Sequence, residues 1–258
     1  MPSEQRVAIV TGSATGIGAA VARRLAASGV RVVINYRQSK AEAEATAAAC
    51  QSAGSEALLH QCDVSRDEDC RAMVAATVER WGRIDYLVNN AGTTKYVEHK
   101  NLDGLSADDF QRIYAVNVIG AFQMARAAAP HMKKAGRAAI VNVSSTAGLR
   151  GTGSSIAYAT SKAALNTLTL SLARVLAPDI RVNVVCPGFV KTRWVKQGLG
   201  EEHFAARIAS YEALSPLKIS STPDDVAQTI TWLLAEATHL TGECLRLDDG
   251  SHLVNPER

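Results

Sequence analysis

The residues best suited to take part in a reaction are a tyrosine and a lysine in the stretch "YATSK" at residues 158–162. At this spacing Tyr158 and Lys162 share one face of a helix. A phenol can exchange a proton with a reacting oxygen, but its ordinary pKa is near 10. A neighbouring ammonium favours the phenolate and would lower that pKa. Alone, the pair is more typical of an exposed helical face, so its interpretation depends on the residues around it.

A glycine-rich stretch, "TGSATGIG", directly follows the first run of β-branched residues, "VAIVT" at residues 7–11. Gly12, Gly16 and Gly18 permit a tight turn, close approach of the backbone to a pyrophosphate, and close packing of a helix on a strand. A helix that begins there directs its amide groups at an anion. Such a turn is weak evidence by itself, but its position after the first strand favours a dinucleotide site.

The end of the second strand, "VVINYRQS", bears on the choice of cofactor. NAD-binding domains usually carry an acidic residue there, whereas this sequence has Tyr36 and Arg37, with no carboxylate before Glu42. A guanidinium can pair with a 2′-phosphate and stack on adenine, so we expect a preference for NADP(H), with NAD(H) as a possible second cofactor. Neutral Thr15 in the turn weakens this expectation, and a solvated surface arginine is the alternative.

Composition excludes several other classes. The chain has 258 residues, 47% of them hydrophobic and 21% charged, with a net charge of +3. Its basic residues are dispersed, which argues against a nucleic-acid partner. Its five cysteines show no metal-site spacing, and no apolar run reaches the roughly 20 residues of a membrane span. With no leader-like N-terminus, we expect a cytoplasmic protein with reduced thiols, no metal and no membrane partner.

Strand-like and helical patterns alternate along the whole chain, which indicates βαβ units and a parallel sheet covered on both faces. The predicted strands are residues 7–11, 30–36, 57–62, 84–88, 138–143, 180–185 and 244–248. The expected fold class is therefore α/β: one Rossmann-type doubly wound domain over residues 1–258, with a seven-stranded parallel sheet flanked by helices. In such folds the ligand binds at the carboxyl ends of the strands.

Capping residues predict where several helices begin and end. The expected signals are capping boxes at Ser39-x-x-Glu42 and Ser65-x-x-Glu68, a C-terminal glycine at Gly29, and a cap with an N1 proline at Thr222-Pro223. A single long helix is expected over residues 106–132.

Residues 191–220 interrupt the strand and helix rhythm, and an insertion at this edge of the sheet would overhang the ligand. We interpret them as a substrate-binding lid. The substrate pocket is expected near residues 93–97, residues 146–154 and three lid aromatics, Trp194, Phe204 and Tyr211. The basic lid residues Lys191, Arg193 and Lys196 could attract an anionic substrate or be solvated.

Several motifs occur in an order that resembles the classical short-chain dehydrogenase/reductases, particularly 3-oxoacyl-carrier-protein reductases and glucose 1-dehydrogenases. They are the glycine turn, "CDV" at 62–64, "NNAG" at 89–92, Asn117 in "VNVIGAF", "IVNVSSTAG", "YATSK" and "NVVCPGFVKT" at 183–192. The resemblance spans residue 7 to about residue 250. It implies an NAD(P)-dependent oxidoreductase (EC 1.1.1.-) that acts on CH–OH groups and is usually a homotetramer, or else a homodimer.

The resemblance also assigns residues. The implied catalytic residues are Asn117, Ser145, Tyr158 and Lys162; Ser145 is preferred to Ser144 because the family's serine lies thirteen residues before the tyrosine. The implied and predicted cofactor-binding residues are Gly12, Ser13, Thr15, Gly16, Ile17, Gly18, Tyr36, Arg37, Asp63, Val64, Asn90, Ala91, Gly92, Tyr158, Lys162, Pro187, Gly188, Val190 and Thr192.

The side chains of the implied catalytic residues suit the chemistry of carbonyl reduction. Tyr158 would exchange the proton, and the hydroxyl of Ser145 would donate to the developing oxyanion. The resemblance further implies that Lys162 binds the nicotinamide ribose and that Asn117 holds a water that relays protons to the lysine.

Two alternatives differ in class from a carbonyl/alcohol oxidoreductase. One is a catalytically silent NADP(H)-binding redox sensor, although such proteins usually lose the tyrosine or the lysine. The other is an extended-type epimerase or dehydratase, which the chain length and the glycine spacing disfavour. The sequence does not identify the small-molecule substrate.

Overall fold

The computed structural model describes residues 5–254 and contains one seven-stranded sheet in the order β3-β2-β1-β4-β5-β6-β7. All neighbouring strands are parallel. The strands are β1 (Val7–Val10), β2 (Arg31–Tyr36), β3 (Ala57–Gln61), β4 (Tyr86–Asn89), β5 (Ala138–Val143), β6 (Ile180–Pro187) and β7 (Cys244–Leu247). The predicted fold class is confirmed, and each predicted strand lies within a few residues of its observed position.

Helices cover both faces of this sheet. They are α1 (Gly16–Ala27), α2 (Lys40–Ser52), α3 (Asp67–Trp81), α4 (Ala107–Tyr114), α5 (Gly120–Ala135), α6 (Ala147–Arg150), α7 (Ile156–Leu176), α8 (Arg193–Leu199), α9 (Glu201–Leu214) and α10 (Pro223–Ala235). Two apolar cores result, one on each face. The central strands β1, β4 and β5 are buried along their whole length, which is why their sequences are runs of apolar residues rather than alternating patterns.

Strand order reverses between β1 and β4, because β2 and β3 extend the sheet on one side and β4 to β7 on the other. At such a switch point the loops after the two central strands diverge and open a crevice. The loop after β1 carries the glycine turn, and the loop after β4 begins at Asn90. The sheet therefore brings two predicted motifs, almost eighty residues apart in sequence, to one edge.

Both predicted capping boxes are wrong. Ser39 does precede α2 but makes no side-chain capping hydrogen bond. The hydroxyl of Ser65 instead donates to a carboxylate oxygen of Asp63 at 2.7 Å, and Arg66 occupies the cap position of α3. The Ser65 hydroxyl is thus hydrogen-bonded to the nearby Asp63 carboxylate and does not cap the helix as the sequence pattern predicted.

Other helix ends follow their sequence signals. Thr222 caps α10 in a full capping box with Asp225, with Pro223 in the first turn. Gly29 follows α1 with a φ of 78°, the left-handed conformation expected after a helix end. A capping box that the sequence reading did not include joins Ser106 and Asp109 at the start of α4.

The single long helix expected over residues 106–132 is interrupted. Five residues, Ala115–Ile119, form a π-helical turn between α4 and α5. Turns of this kind inside α-helices are rare and occur frequently at functional sites. The predicted residue Asn117 lies at the centre of this turn.

Residues 191–220, which we interpreted as a lid, form the short helix α8 and the longer helix α9, separated by Gly200 at a φ of 81°. In the part of the chain that the structure describes, no helix is long and apolar enough to cross a membrane. Within residues 5–254 there is also no cluster of three or more His, Cys, Asp or Glu side chains that could hold a metal.

Candidate active site

A cavity of about 510 Å³ opens at the carboxyl edge of the sheet and extends from the glycine turn to the tyrosine and lysine of α7. Most of the predicted site residues line it: Gly12, Thr15, Gly16, Ile17, Tyr36, Arg37, Asp63, Val64, Asn90, Ala91, Gly92, Ser145, Tyr158, Lys162, Pro187, Gly188, Val190 and Thr192. Three predicted residues, Ser13, Gly18 and Asn117, are not among the lining residues. The structure thus gathers one continuous site from seven separate parts of the chain.

Ser13 and Gly18 shape the glycine turn from behind. The Ser13 hydroxyl donates to the Val10 carbonyl at 2.7 Å and accepts from the Asn35 amide at 2.9 Å, so it points into the protein. A Cβ on Gly18 would lie 2.5 Å from the Gly12 carbonyl oxygen. Their direct contact with a cofactor, expected from the resemblance, is therefore not supported, since both residues act on the backbone of the turn.

The turn itself is held by the "NNAG" loop. Gly12 has a φ of 61°, and a Cβ there would lie 3.0 Å from the Ala91 Cα. The side-chain amide of Asn90 donates to the Thr11 and Gly12 carbonyls, both at 2.9 Å. Glycine is required at position 12 both by its left-handed backbone and by this close approach.

Asn35 is a structural residue of the site that sequence reasoning missed. Its side-chain oxygen accepts from the Gly12 amide at 2.9 Å, and its amide group donates to the Cys62 carbonyl at 3.1 Å. The side chain is 2% exposed and so joins the glycine turn, β2 and the "CDV" segment. Its place two residues before Arg37, where an acidic residue is often found, is the signal that could have identified it.

Other lining residues were also missed, namely Ala14, Gln38, Ser39, Cys62, Val116, Val143, Val195 and Gln197. Most of them flank a recognised motif by one or two positions. Motif matching identifies the residues that a family shares, whereas a cavity wall includes whatever lies beside them.

Arg37 and Asp63, both predicted to bind the adenosine part of the cofactor, contact each other. Arg37 Nη1 lies 3.5 Å from Asp63 Oδ2, and the Arg37 side chain is 60% exposed. Partial burial raises the pKa of Asp63, but the hydrogen bonds from Ser65 and the charge of Arg37 together outweigh it and hold that pKa below its ordinary value. Asp63 therefore remains an anion and partly balances the guanidinium.

Tyr158 lies in the first turn of α7, where the Ser155 hydroxyl caps the helix by accepting from the Tyr158 amide at 3.2 Å. The tyrosine is 8% exposed. Burial raises the pKa of its phenol to about 12, and a hydrogen bond with Ser145 opposes that rise. The sequence predicted a lowered pKa for Tyr158, whereas the protein alone raises it, because desolvation of the phenolate outweighs its favourable contacts.

Lys162 follows one turn later and is 3% exposed. Its ammonium donates to the Val143 carbonyl at 2.8 Å and lies 5.6 Å from the centroid of the Tyr158 ring. Burial lowers the pKa of Lys162 to about 8. The lysine is therefore held beside the tyrosine by the end of β5, and its charged form predominates at neutral pH.

The two adjacent serines after β5 have different surroundings. The Ser144 hydroxyl donates to the Lys162 carbonyl at 3.0 Å and is buried against α7. Ser145 Oγ accepts from the Ala147 amide at 3.1 Å and lies 3.5 Å from the Pro187 carbonyl oxygen. Ser145 therefore keeps its hydroxyl beside Tyr158, whereas Ser144 is committed to the backbone.

Asn117 lies just behind the cavity wall. Its side-chain oxygen accepts from the Thr93 amide at 2.8 Å, and its amide group donates to the Thr93 carbonyl at 3.0 Å and to Ser161 Oγ at 2.9 Å. A Cβ on Gly92 would lie 3.5 Å from this oxygen and 3.6 Å from Lys162 Nζ. Asn117 thus fixes the loop after β4, with a single glycine between it and the lysine.

Helix α8 covers the end of the cavity that contains the tyrosine. The Trp194 ring lies over Tyr158, with centroids 6.0 Å apart and an angle of 57° between the planes. A Cβ on Gly198 would collide with the Tyr96 ring, so this glycine lets α8 pack directly on that aromatic residue. Phe204 and Tyr211 instead pack against Phe189, with centroids 6.1 Å and 5.5 Å from it.

The three basic lid residues singled out from the sequence, Lys191, Arg193 and Lys196, are each paired with a carboxylate. Lys196 Nζ lies 2.6 Å from Glu201, and Lys191 Nζ lies 3.6 Å from Glu212. Arg193 Nη1 lies 2.6 Å from Glu42 of α2, so this ion pair joins the lid to the opposite side of the cavity mouth. These pairs reduce the charge that the three cations offer to a substrate.

The residues present fit a bound dinucleotide. Helix α1 begins at Gly16, beside the cavity, and among the described residues no side chain caps its first turn or adds an acidic group to it. Its amide groups are therefore open to a phosphate. A parallel sheet with this switch point, an open helix N-terminus and a buried Tyr/Lys pair define a Rossmann-type dinucleotide-binding enzyme.

Comparison with known proteins identifies the family. Residues 12–252 match the family model described as enoyl-(acyl carrier protein) reductase. A protein named for a ketoacyl reductase role in the granaticin polyketide synthase of Streptomyces violaceoruber is 42% identical, over 97% of this chain and 98% of its own. The 4-formylbenzenesulfonate dehydrogenase of Comamonas testosteroni is 37% identical, over 98% of this chain and 100% of its own.

A solved structure supports the same assignment. The crystal structure of a short-chain dehydrogenase/reductase from Burkholderia xenovorans superimposes with a TM-score of 0.91 at 42% identity, covering 97% of this chain and 99% of that chain. The chain belongs to the classical short-chain dehydrogenase/reductase family. It is an NAD(P)-dependent oxidoreductase that acts on alcohol and carbonyl groups of small molecules.

Proposed function

We propose that this enzyme prefers NADP(H) and interconverts a ketone or aldehyde with the corresponding alcohol, with Tyr158 as the acid and base. The observation that carries the proposal is the group of Ser145, Tyr158 and Lys162 at one end of a cavity whose other end is the glycine turn. When bound, the nicotinamide supplies or accepts the hydride. The protein must supply the proton and stabilise the negative charge on oxygen.

Tyr158 is suited to donate the proton at neutral pH. With a pKa of about 12, the phenol is fully protonated there. The oxidative direction would require the phenolate, which the surroundings disfavour, so we assign carbonyl reduction as the faster direction at neutral pH.

Ser145 and Lys162 assist that transfer. The Ser145 hydroxyl lies beside Tyr158 and can donate a second hydrogen bond to the substrate oxygen. The positive charge of Lys162, 5.6 Å from the phenol ring, favours the phenolate left after donation. Asn117 acts as a positioning residue, because its hydrogen bonds fix Thr93 and the loop that carries Gly92 beside the lysine.

A preference for NADP(H) is supported by Arg37. The cavity extends to this exposed guanidinium, and no carboxylate stands at the end of β2 to bind a ribose 2′-hydroxyl. A 2′-phosphate could replace Asp63 as the partner of Arg37 and form charge-assisted hydrogen bonds. Because Asp63 partly neutralises the guanidinium, we expect NAD(H) to be used as well, but less efficiently.

For the substrate we propose an uncharged carbonyl compound that carries a ring. The wall of the cavity beside Tyr158 includes the ring of Trp194, and an aromatic wall favours contact with flat molecules. Lys191, Arg193 and Lys196 of the lid are each paired with a carboxylate, which weakens the case for an anionic substrate. Residues 191–220 act in this proposal as a substrate-binding lid within a single domain of 258 residues.

A homotetramer, or a homodimer, is proposed from the apolar side chains left exposed on two neighbouring helices. Phe122 of α5 is 40% exposed, Leu170 of α7 47% and Val175 of α7 69%. Burial of such side chains between copies would remove apolar surface from water. Light scattering of the purified chain measures the mass directly, and a monomer would contradict the proposal.

The direct test is a panel of ketones and aldehydes with NADPH or NADH, followed by nicotinamide absorbance, for the natural enzyme and for Tyr158→Phe. We expect turnover with NADPH and a loss of about 10²-fold to 10⁴-fold in the variant, the usual contribution of general acid catalysis. Equal rates for the two proteins would refute the mechanism. Tight NADPH binding without turnover of any compound would favour a silent redox sensor instead.

A further inference from the structure

Helix α8 lies across the mouth of the cavity. Thr192, which precedes it, and residues of its first two turns line this cavity. On one side the Trp194 ring lies over Tyr158, with centroids 6.0 Å apart. On the other side Thr192 approaches the glycine turn, because a Cβ on Gly16 would lie 3.8 Å from Thr192 Cγ2. The start of α8 therefore joins the two ends of the cavity, over the path that a bound dinucleotide would follow.

This helix has few attachments to the rest of the protein. None of its residues, Arg193–Leu199, is buried. The chain before it is fixed by a bridge between Val190 and Ser221, where the Lys191 amide donates to the Ser221 carbonyl at 2.9 Å. The chain after it turns at Gly200, which has a φ of 81° and open space where a Cβ would lie. Segments that bury little apolar surface open at low cost, so the few contacts of α8 decide how often it opens.

One of those contacts is an ion pair with the opposite side of the mouth. Arg193 Nη1 lies 2.6 Å from Glu42 Oε1, although 151 residues separate them in the sequence. The hydrogen bond from Arg193 lowers the pKa of Glu42, so this carboxylate is charged at neutral pH. Glu42 belongs to α2, and α2 is fixed to the glycine turn by a hydrogen bond of 3.0 Å from Thr46 Oγ1 to the Ala14 carbonyl. The ion pair therefore ties a loosely packed helix to a firmly held one.

The other two ion pairs that the structure describes for the lid lie within it. Lys196 Nζ is 2.6 Å from Glu201 Oε1, and Lys191 Nζ is 3.6 Å from Glu212 Oε1. Both partners of each pair belong to residues 191–220, so neither pair crosses the cavity. The pair of Lys196 and Glu201 has the same length as the crossing pair, which makes Glu201→Gln a matched control.

We propose that Arg193 and Glu42 form a latch that holds α8 across the cavity and slows both the entry and the release of the nicotinamide cofactor. The latch consists of protein atoms only, so its strength is the same with and without a dinucleotide beneath it. Breaking it therefore raises the rate constants for association and release by one common factor and leaves the Kd unchanged. Like the proposed function, this inference rests on cofactor binding in the cavity, but it does not depend on the choice of substrate or of NADP(H) over NAD(H).

The expected size of the effect follows from the exposure of the pair. The Arg193 and Glu42 side chains are 58% and 34% exposed, and an exposed ion pair is weak. Loss of such a contact changes an equilibrium by about twofold to fivefold. Glu42→Gln and Arg193→Gln should therefore each raise both rate constants by about twofold to fivefold. The double variant should exceed neither single variant, because both substitutions remove the same contact.

The test uses the full chain and needs no turnover. Association with NADPH and with NADH is followed by nicotinamide fluorescence in a stopped-flow instrument at low salt, and release is followed after mixing with an excess of oxidised cofactor. The Kd is measured separately by titration. Glu201→Gln should keep the rate constants of the natural chain. At about 1 M salt the latch is screened, so the difference between the natural chain and Glu42→Gln should vanish.

Two results would overturn the latch by assigning Arg193 another role. Faster release in Arg193→Gln together with slower release in Glu42→Gln would mean that Arg193 binds a cofactor phosphate directly and that Glu42 competes for it. A release rate that rises while association stays constant, with a raised Kd, would mean that the contact stabilises the bound state alone.

Other results separate this inference from the proposed function. Unchanged rate constants in Glu42→Gln, or an equal increase in Glu201→Gln, would overturn the latch while cofactor binding itself stands. A chain that binds neither NADPH nor NADH would overturn the proposed function and the latch together.

Discussion

Replacement of the buried lysine by a neutral side chain of similar length should stabilise the cofactor-free protein at neutral pH while abolishing catalysis. Lys162 is 3% exposed, and its pKa is about 8 instead of the ordinary value of 10.5. One pKa unit corresponds to about 1.4 kcal/mol, so keeping the ammonium charged in this place costs about 3 kcal/mol. Lys162→Met removes that cost.

The substitution also has an unfavourable part. The Val143 carbonyl would lose the hydrogen bond that it now accepts at 2.8 Å. An unpaired buried carbonyl costs about 1–3 kcal/mol. The net effect of Lys162→Met below pH 8 is therefore a gain of roughly 1–2 kcal/mol in the free energy of unfolding.

The sign of the effect depends on pH. Below about pH 8 the lysine is protonated in both the folded and the unfolded chain, so the full cost is present. Between pH 8 and 10.5 only the unfolded chain retains the proton, and the stability of the natural protein rises with pH. The advantage of Lys162→Met should therefore shrink over this window and then reverse.

The assay is urea denaturation of the cofactor-free proteins from pH 6 to pH 10, followed by circular dichroism. This range stays below the pKa of Tyr158, which burial places at about 12, although ionisation of that residue in the unfolded chain begins near pH 10. Lys134→Met, an exposed lysine at the end of α5, is the matched control and should give a difference that does not depend on pH. A constant difference between Lys162→Met and the natural chain from pH 6 to pH 10 would refute the reasoning.

Three further predictions concern activity. Arg37→Ala should raise the Kd for NADPH by about tenfold or more but the Kd for NADH by only about twofold, because a charge-assisted hydrogen bond contributes about 1.5–3 kcal/mol. Arg71→Ala is the control, since Arg71 is similarly exposed and also paired with an aspartate. Equal losses of affinity for both cofactors in Arg37→Ala would contradict the prediction. Trp194→Ala should raise the KM of a cyclic ketone by about threefold to tenfold, the usual worth of an aromatic contact, and leave that of a short acyclic ketone unchanged. The rate of carbonyl reduction should fall as the pH rises through about 8, where Lys162 loses its charge, and a rate that stays constant to pH 10 would argue against its role.

The strands of this protein could be predicted because buried parallel strands are continuous apolar runs. Val7–Val10 and Ala138–Val143 are examples, since both are buried on both faces of the sheet. The catalytic candidates could be predicted from motifs whose spacing is local, such as the four residues from Tyr158 to Lys162. Such features depend on a few neighbouring residues, so a linear pattern contains them.

Features that depend on a competing partner could not be predicted. Ser65 matches a capping box, but the Asp63 carboxylate accepts its hydroxyl instead. The π-helical turn at Asn117 interrupts a stretch with an unbroken helical pattern, where the Asn117 amide bonds to Thr93 and Ser161. Each outcome is decided by a group that only the folded chain brings into reach.

The sequence alone thus determined the order of strands and helices, the family, and the types of residue available for proton transfer, because these follow from local periodicity and motif spacing. The tertiary structure decided how those residues behave. Burial moves the pKa of Tyr158 upward and that of Lys162 downward, the opposite of what the isolated pair suggests for the tyrosine. Folding also brings Cys186 and Cys244 together, although they are 58 residues apart in the sequence. Desolvation and long-range contacts of this kind exist only once the strands lie side by side.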